Sequence, residues 1–79
     1  MDELVSILLK IKTKQEMENF LNGLLTPKEK DEFARRLDIV RMIKKGTPHH
    51  DIASTLGVGV ATVTRGSKEI KMGRFSNIG

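Results

Sequence analysis

The residues best suited to chemistry lie between positions 50 and 71, where small, hydroxyl and cationic side chains alternate with apolar ones. Alanine and threonine let a helix enter the DNA major groove deeply, and a threonine can contact thymine or a phosphate. Arginine and lysine reach guanine or the phosphate backbone. The pattern therefore predicts a recognition helix for duplex DNA. The residues expected to contact DNA are His50, Gly59, Val60, Ala61, Thr62, Thr64, Lys68 and Lys71.

A helix-turn-helix over residues 47–71 would position these side chains. Ile52, Ala53 and Leu56 recur at the spacing of one helical face, so a short first helix can pack on the rest of the chain. Gly57 then allows a sharp turn, because glycine adopts a positive φ without a steric penalty. The alanine and the glycine stand where two steeply crossing helices need small residues, which disfavours the alternative of a plain exposed helical hairpin.

The second helix of this motif is expected to begin near Val60. Its apolar residues Val60, Val63 and Ile70 are predicted to point inward. The opposite face would then carry the small, hydroxyl and cationic residues Ala61, Thr62, Thr64, Arg65 and Lys68.

Three further helices are predicted upstream. Residues 2–11 form the first, a capping box at Thr13–Glu16 begins the second, and a capping box at Thr26–Glu29 begins the third. Pro27 suits the first position of the third helix, which should run to about Lys45. The residues predicted to point inward from this helix are Phe33, Leu37, Val40 and Ile43.

The composition indicates one domain of 79 residues, divided into dimerisation helices (1–46), the helix-turn-helix (47–71) and a frayed or irregular tail (72–79). The formal net charge is +4, and residues 26–79 hold eleven Lys/Arg against six Asp/Glu. The basic part of the chain thus coincides with the predicted DNA-facing part. There is no cysteine, which excludes disulfide and thiolate–metal frameworks and fits a reducing compartment.

The first helix is apolar on more than one face, since Leu4, Val5 and Ile7 to Leu9 cover most of its circumference. One small domain cannot enclose such a helix, so a second copy of the chain is the expected cover and a homodimer is predicted. The alternative is a monomeric bundle centred on this helix. The apolar run is far shorter than the roughly 20 residues of a membrane span, and the acidic start is unlike a secretory signal. A cytoplasmic protein without membrane association is expected.

No sequence pattern supports an enzyme. The chain has no G-x-G-x-x-G, no P-loop and no Ser/His/Asp arrangement. His49 and His50 are adjacent, so on a helix they face different directions and cannot easily bind one metal ion. We therefore predict no catalytic residue, no metal site and no cofactor.

Leu24–Glu29 together with Gly57–Ser67 resembles the Trp repressor family, and the similarity covers roughly residues 20–71. The resemblance implies an all-α fold, in which a small helical bundle forms an intertwined homodimer. Its recognition helices would enter successive major grooves of a palindromic operator in double-stranded DNA. It also implies L-tryptophan as co-repressor.

In the family, the tryptophan lies between two arginines, whose matching positions here are Arg36 and Arg65. The matching threonine before the third helix is Thr26. Backbone carbonyls would come from Gly23 and Leu25, and Gly66 would leave room for the ligand. Glu69 stands where the family has a small serine near the ligand's amino group.

Two further departures concern length. The segment between Gly46 and Gly57 is one residue shorter than in the repressor, which makes the matches at His50 and Ala53 approximate. The repressor also continues into a further helix after the recognition helix, whereas eight residues follow Lys71 here.

The sequence thus predicts a sequence-specific DNA-binding transcriptional regulator, a repressor gated by L-tryptophan or another small ligand. The alternatives are a ligand-independent member of the family and a small helical dimer for protein interaction. Arg65 and Glu69 are four residues apart, so an ion pair between them would close the ligand site. RNA binding is disfavoured because Phe20, Phe33 and Phe75 are the only aromatic residues.

Overall fold

The computed structural model describes residues 1–79 and contains five helices and no strand. The helices are α1 (Asp2–Lys10), α2 (Lys14–Leu24), α3 (Pro27–Lys44), α4 (His49–Leu56) and α5 (Val60–Lys71). The predicted all-α fold is therefore confirmed. The chain divides into two compact units, residues 1–30 and residues 31–79. None of the helices combines the length and apolarity that a bilayer crossing requires.

Local hydrogen bonds begin α2 and α3 at the predicted places. The amide of Glu16 donates to Thr13 Oγ1 at 3.1 Å. At the start of α3 the exchange is reciprocal, because the amide of Glu29 donates to Thr26 Oγ1 at 3.2 Å and the amide of Thr26 donates to Glu29 Oε1 at 2.9 Å. The hydrogen bond that the Thr26 amide donates to the Glu29 carboxylate, followed by the interaction with the Thr26 side chain, holds the pKa of that carboxyl below its ordinary value. Both helix starts thus follow from interactions three residues apart.

The first unit has almost no core of its own. Neither α1 nor α2 contains a buried residue. Leu9 is 79% exposed, and Val5 and Ile7 are exposed as well. The first helix therefore carries the uncovered apolar surface that its sequence predicted, and the homodimer remains a prediction.

The core of the second unit joins α3 to the helix-turn-helix. Ile39, Ile52, Ala53 and Val63 form a buried cluster, to which α3 contributes only from Ile39 onward. Val40 is buried too. Half-buried side chains packed against the cluster are Met42, Ile43, Leu56 and Val58.

Two predicted inward positions on α3 are wrong. Phe33 is 45% exposed and Leu37 is 37% exposed, whereas Ile39, which was not predicted, is 2% exposed. The reason is that the core cluster covers only the later turns of α3. Val40 and Ile43 agree with the prediction, since the first is buried and the second half-buried.

The turn of the helix-turn-helix forms as predicted. Gly57 has a φ of +66°, and the amide of Val58 donates to the carbonyl of Ala53 at 3.0 Å. In α5, Val63 is fully buried, but Val60 is 50% exposed and the inward prediction for it is wrong. Val58 in the turn packs against the core instead, which leaves Val60 at the exposed start of α5.

Candidate nucleic-acid interface and ligand cleft

The exposed side of α5 carries the side chains predicted to meet DNA. Val63 and Ser67 are buried and fix the helix to the core. Thr64 is only half-buried, so it lies at the edge of the exposed side rather than fully on it. The exposed residues of α5 and its N-cap, which we call the α5 surface, are Gly59, Val60, Ala61, Thr62, Arg65, Lys68 and Lys71.

His50 lies apart from this set, in the first turn of α4. Its side chain is 81% exposed, and Nε2 lies 3.0 Å from Asp51 Oδ1. The neighbouring carboxylate offsets part of any positive charge on the imidazole. A phosphate would therefore compete with Asp51 for His50.

A close approach between α3 and α5 places their arginines around one cleft. Gly66 sits against α3, where an added Cβ would meet Ile39 Cγ2 at 3.1 Å and Ile43 Cδ1 at 3.6 Å. Even a methyl group at position 66 would require Ile39 to move by a few tenths of an ångström, so glycine permits this close approach. Arg36 on α3 and Arg65 on α5 line the same cleft as a result.

The cleft has a volume of about 470 Å³. It brings together four residues that the resemblance assigned to a ligand site, namely Arg36, Arg65, Gly66 and Glu69. Sequence reasoning missed the others that line it, which are Ile39, Val40, Thr62 and Phe75. Thr62 was assigned to DNA alone, and Phe75 follows α5 in a segment whose sequence has no periodicity.

Gly23, Leu25 and Thr26 belong to the first unit, residues 1–30. The Thr26 hydroxyl accepts the hydrogen bond that caps α3. The amide of Leu25 donates to the carbonyl of Leu21 and ends α2. The contribution of these three residues to a ligand site stays a prediction.

The alternative ion pair between Arg65 and Glu69, which would close the ligand site, does not form. Glu69 Oε2 instead lies 3.1 Å from Arg74 Nε. Neither Arg36 nor Arg65 has a carboxylate partner. The guanidinium carbon of Arg36 lies 5.6 Å from the centre of the Phe33 ring, within the range of a cation–π contact. The cleft is therefore open and has an excess of positive charge.

Several curated proteins resemble the chain, among them the following three. The "Trp operon repressor homolog" of Vibrio vulnificus (strain YJ016) is 45% identical over 53 residues, 66% of this chain and 52% of that protein. The protein of the same name in Vibrio campbellii (strain ATCC BAA-1116) is 36% identical over 70 residues, 87% of this chain and 70% of that protein. The "Uncharacterized protein YerC" of Bacillus subtilis (strain 168) is 32% identical over 65 residues, 82% of this chain and 62% of that protein.

The chain spans about half the length of the Vibrio vulnificus relative. No solved structure shows a significant similarity to this chain. The family model described as "Trp repressor protein" matches residues 1–76, almost the whole chain. With that match and the helix-turn-helix described above, the chain belongs to the Trp repressor family.

Proposed function

We propose that this chain is a sequence-specific DNA-binding transcriptional regulator that acts as a repressor. The observation that carries the proposal is the α5 surface, where small, hydroxyl and cationic side chains are exposed on a helix fixed to the core by Val63 and Ser67. A helix of this composition fits the major groove. Membership of the Trp repressor family supports the same reading.

The side chains divide into two roles along α5. Ala61 and Thr62, in its first turn, meet base edges and determine sequence preference. Lys68 and Lys71, nearer its end, neutralise phosphates and supply affinity that does not depend on sequence. The net charge of +4 favours association with DNA in the same way.

We propose that the working unit is a homodimer bound to a palindromic operator. The support is the uncovered apolar surface of α1, where Leu9 is 79% exposed, Val5 is 45% exposed and Ile7 is 38% exposed. Association of two copies removes such surface from water. Two-fold symmetry of the protein would be matched by two-fold symmetry of the site, with half-sites about one helical turn apart.

A small ligand in the cleft is proposed to gate DNA binding, and L-tryptophan is the first compound to test. Arg36 and Arg65 can each offer a guanidinium plane to an indole ring, and a free guanidinium can take the carboxylate. Arg65 and Thr62 belong both to the cleft and to the α5 surface. A ligand in the cleft therefore touches the DNA-reading helix directly.

Selection of bound sites from random duplexes, with and without L-tryptophan, tests the proposal. We expect a palindromic consensus, and sedimentation at micromolar concentration should give twice 8.9 kDa. Failure to enrich any sequence would exclude the regulator and leave the protein-interaction dimer. Enrichment that is identical with and without L-tryptophan would exclude tryptophan gating while leaving DNA binding intact.

A further inference from the structure

Residues 72–78 turn back against α5 and form part of the cleft. Gly73 has a φ of +91°, its amide donates to the carbonyl of Ile70 at 3.0 Å, and the amide of Arg74 donates to the carbonyl of Glu69 at 3.0 Å. This pair of bonds is the Schellman motif that commonly ends a helix. In this motif the side chains at the positions of Glu69 and Arg74 frequently make an apolar contact. Here Arg74 and Glu69 form an ion pair instead.

The same segment is held from a second side. Lys44 Nζ, on α3, donates to the backbone carbonyls of Phe75 and Ile78. Phe75 is half-buried and lines the cleft. The turn at Gly73 and the hydrogen bonds from Lys44 together place the Phe75 ring at the side of the cleft and Arg74 beside Glu69.

This arrangement determines which charged groups of the cleft are available to a ligand. Glu69 is the only carboxylate that lines the cleft, and Arg74 already engages it. Arg36 and Arg65 have no anionic partner, so a carboxylate on the ligand finds a free guanidinium. An ammonium on the ligand meets a carboxylate whose charge Arg74 already offsets at Oε2, and it is repelled by the Arg74 cation beside it.

We propose that Arg74 is a specificity-determining residue of the cleft, and that it favours a planar aromatic carboxylate without an ammonium group over a zwitterionic aromatic amino acid. Ile39, Val40 and Phe75 supply the apolar surface for the ring. The inference rests on the proposed function, since it takes the cleft to be a ligand site. The pairing of Arg74 with Glu69 thus narrows the proposed ligands to aromatic carboxylates without an ammonium group.

The expected selectivity is modest because the ion pair is accessible to water. The side chain of Arg74 is 56% exposed and that of Glu69 is 36% exposed. Exposed ion pairs have small interaction energies, so replacing one partner costs little. We expect a preference of about 1.4-fold to fivefold, the range that such pairs give when converted to affinity.

Calorimetry on the full chain tests this with two probes that differ only in the ammonium group, L-tryptophan and 3-(indol-3-yl)propionate. The wild-type protein should bind the propionate more tightly, by about 1.4-fold to fivefold. In Arg74→Gln the preference should disappear or invert, mainly because L-tryptophan binds more tightly once Glu69 is free for its ammonium. Adding Glu69→Gln to Arg74→Gln should remove that gain.

Two matched variants separate local charge from other effects. Arg41→Gln removes a cation that pairs with Asp38 and does not line the cleft, so the ratio of affinities should stay at the wild-type value. Arg74→Lys keeps the charge and should keep the preference. Equal affinity of the two probes for the wild-type protein, or a ratio unchanged by Arg74→Gln, would overturn the proposal. If neither probe binds, this inference and ligand gating both fail, whereas site selection without ligand still reports on DNA binding.

Discussion

Gly66 lies so close to Ile39 that a methyl group on it would come within 3.1 Å of Ile39 Cγ2. Ile39 is 2% exposed and belongs to the buried cluster, so it has little space into which to move. The absence of a side chain on Gly66 thus allows α3 and α5 to approach closely at this point. Arg36 and Arg65, which line the cleft, stand on those two helices.

Substitution at Gly66 should therefore depend on side-chain size. Gly66→Ala gains helix propensity, about 1 kcal/mol, and loses a similar amount to crowding against Ile39, so its free energy of unfolding should stay within about 1 kcal/mol of the wild-type value. Gly66→Leu should destabilise by roughly 1–3 kcal/mol through overpacking. Urea unfolding measures both.

Gly23→Ala is the matched control for Gly66. Gly23 is also in a helix, but nothing lies within 4 Å of an added Cβ. This change should stabilise by roughly 0.5–1 kcal/mol. If Gly66→Leu were as stable as the wild type, the close approach of α3 and α5 would not require glycine at this position.

The roles proposed along α5 predict different kinds of loss in DNA binding. Thr62→Glu should weaken binding to the selected site by about 1–3 kcal/mol or more, since it loses a base contact and adds a charge. Lys68→Gln should weaken binding to all duplexes alike and lower the slope of log K against log salt by about 1. Asn19→Glu, an added acid at an exposed position of α2, is the control for charge alone. Full sequence preference in Thr62→Glu would contradict the placement of the recognition helix.

The bonds from Lys44 predict a local effect on residues 72–78. Lys44→Met keeps the apolar stem but removes the donor to the carbonyls of Phe75 and Ile78. Amide exchange of Arg74 and Ile78 should become faster, while that of the core residue Ile52 stays unchanged. Lys45→Met, at the exposed neighbouring position, should leave all three rates unchanged. Equal protection in the two variants would show that the Gly73 turn holds the segment without Lys44.

The lowered pKa of Glu29 predicts a pH dependence of stability. A carboxyl whose pKa is lower in the folded than in the unfolded protein stabilises the fold at pH values above its ordinary pKa, which is about 4.3. That contribution is lost as the pH falls through the lowered pKa of the folded state. Glu29→Gln should therefore melt at a lower temperature than the wild type at pH 7, and the difference should shrink towards zero as the pH falls through that lowered pKa.

A matched variant checks that this effect belongs to the capping box. Glu18→Gln alters an exposed carboxylate that pairs with Lys14 and caps no helix, so its melting temperature should stay near the wild-type value at pH 7. A melting difference for Glu29→Gln that stayed constant over the whole acid titration would show that the effect does not come from the charge of Glu29.

The sequence alone determined the features that depend on neighbours along the chain. The caps at Thr13 and Thr26 follow from hydrogen bonds three residues apart, and the turn at Gly57 follows from the freedom of glycine at positive φ. For the same reason the five helices lie close to their predicted bounds. The buried Val63 and the exposed apolar residues of α1 agree with the periodicity of the sequence.

Only the tertiary structure decided which apolar faces are covered and which charges meet. Phe33 and Ile39 are equally apolar in sequence, and the second is buried because α4 and α5 pack against that part of α3. Glu69 could pair with Arg65 on its own helix, yet the chain reversal at Gly73 brings Arg74 to it instead. Contacts of this kind join residues through the path of the backbone in space, which local propensity and periodicity do not specify.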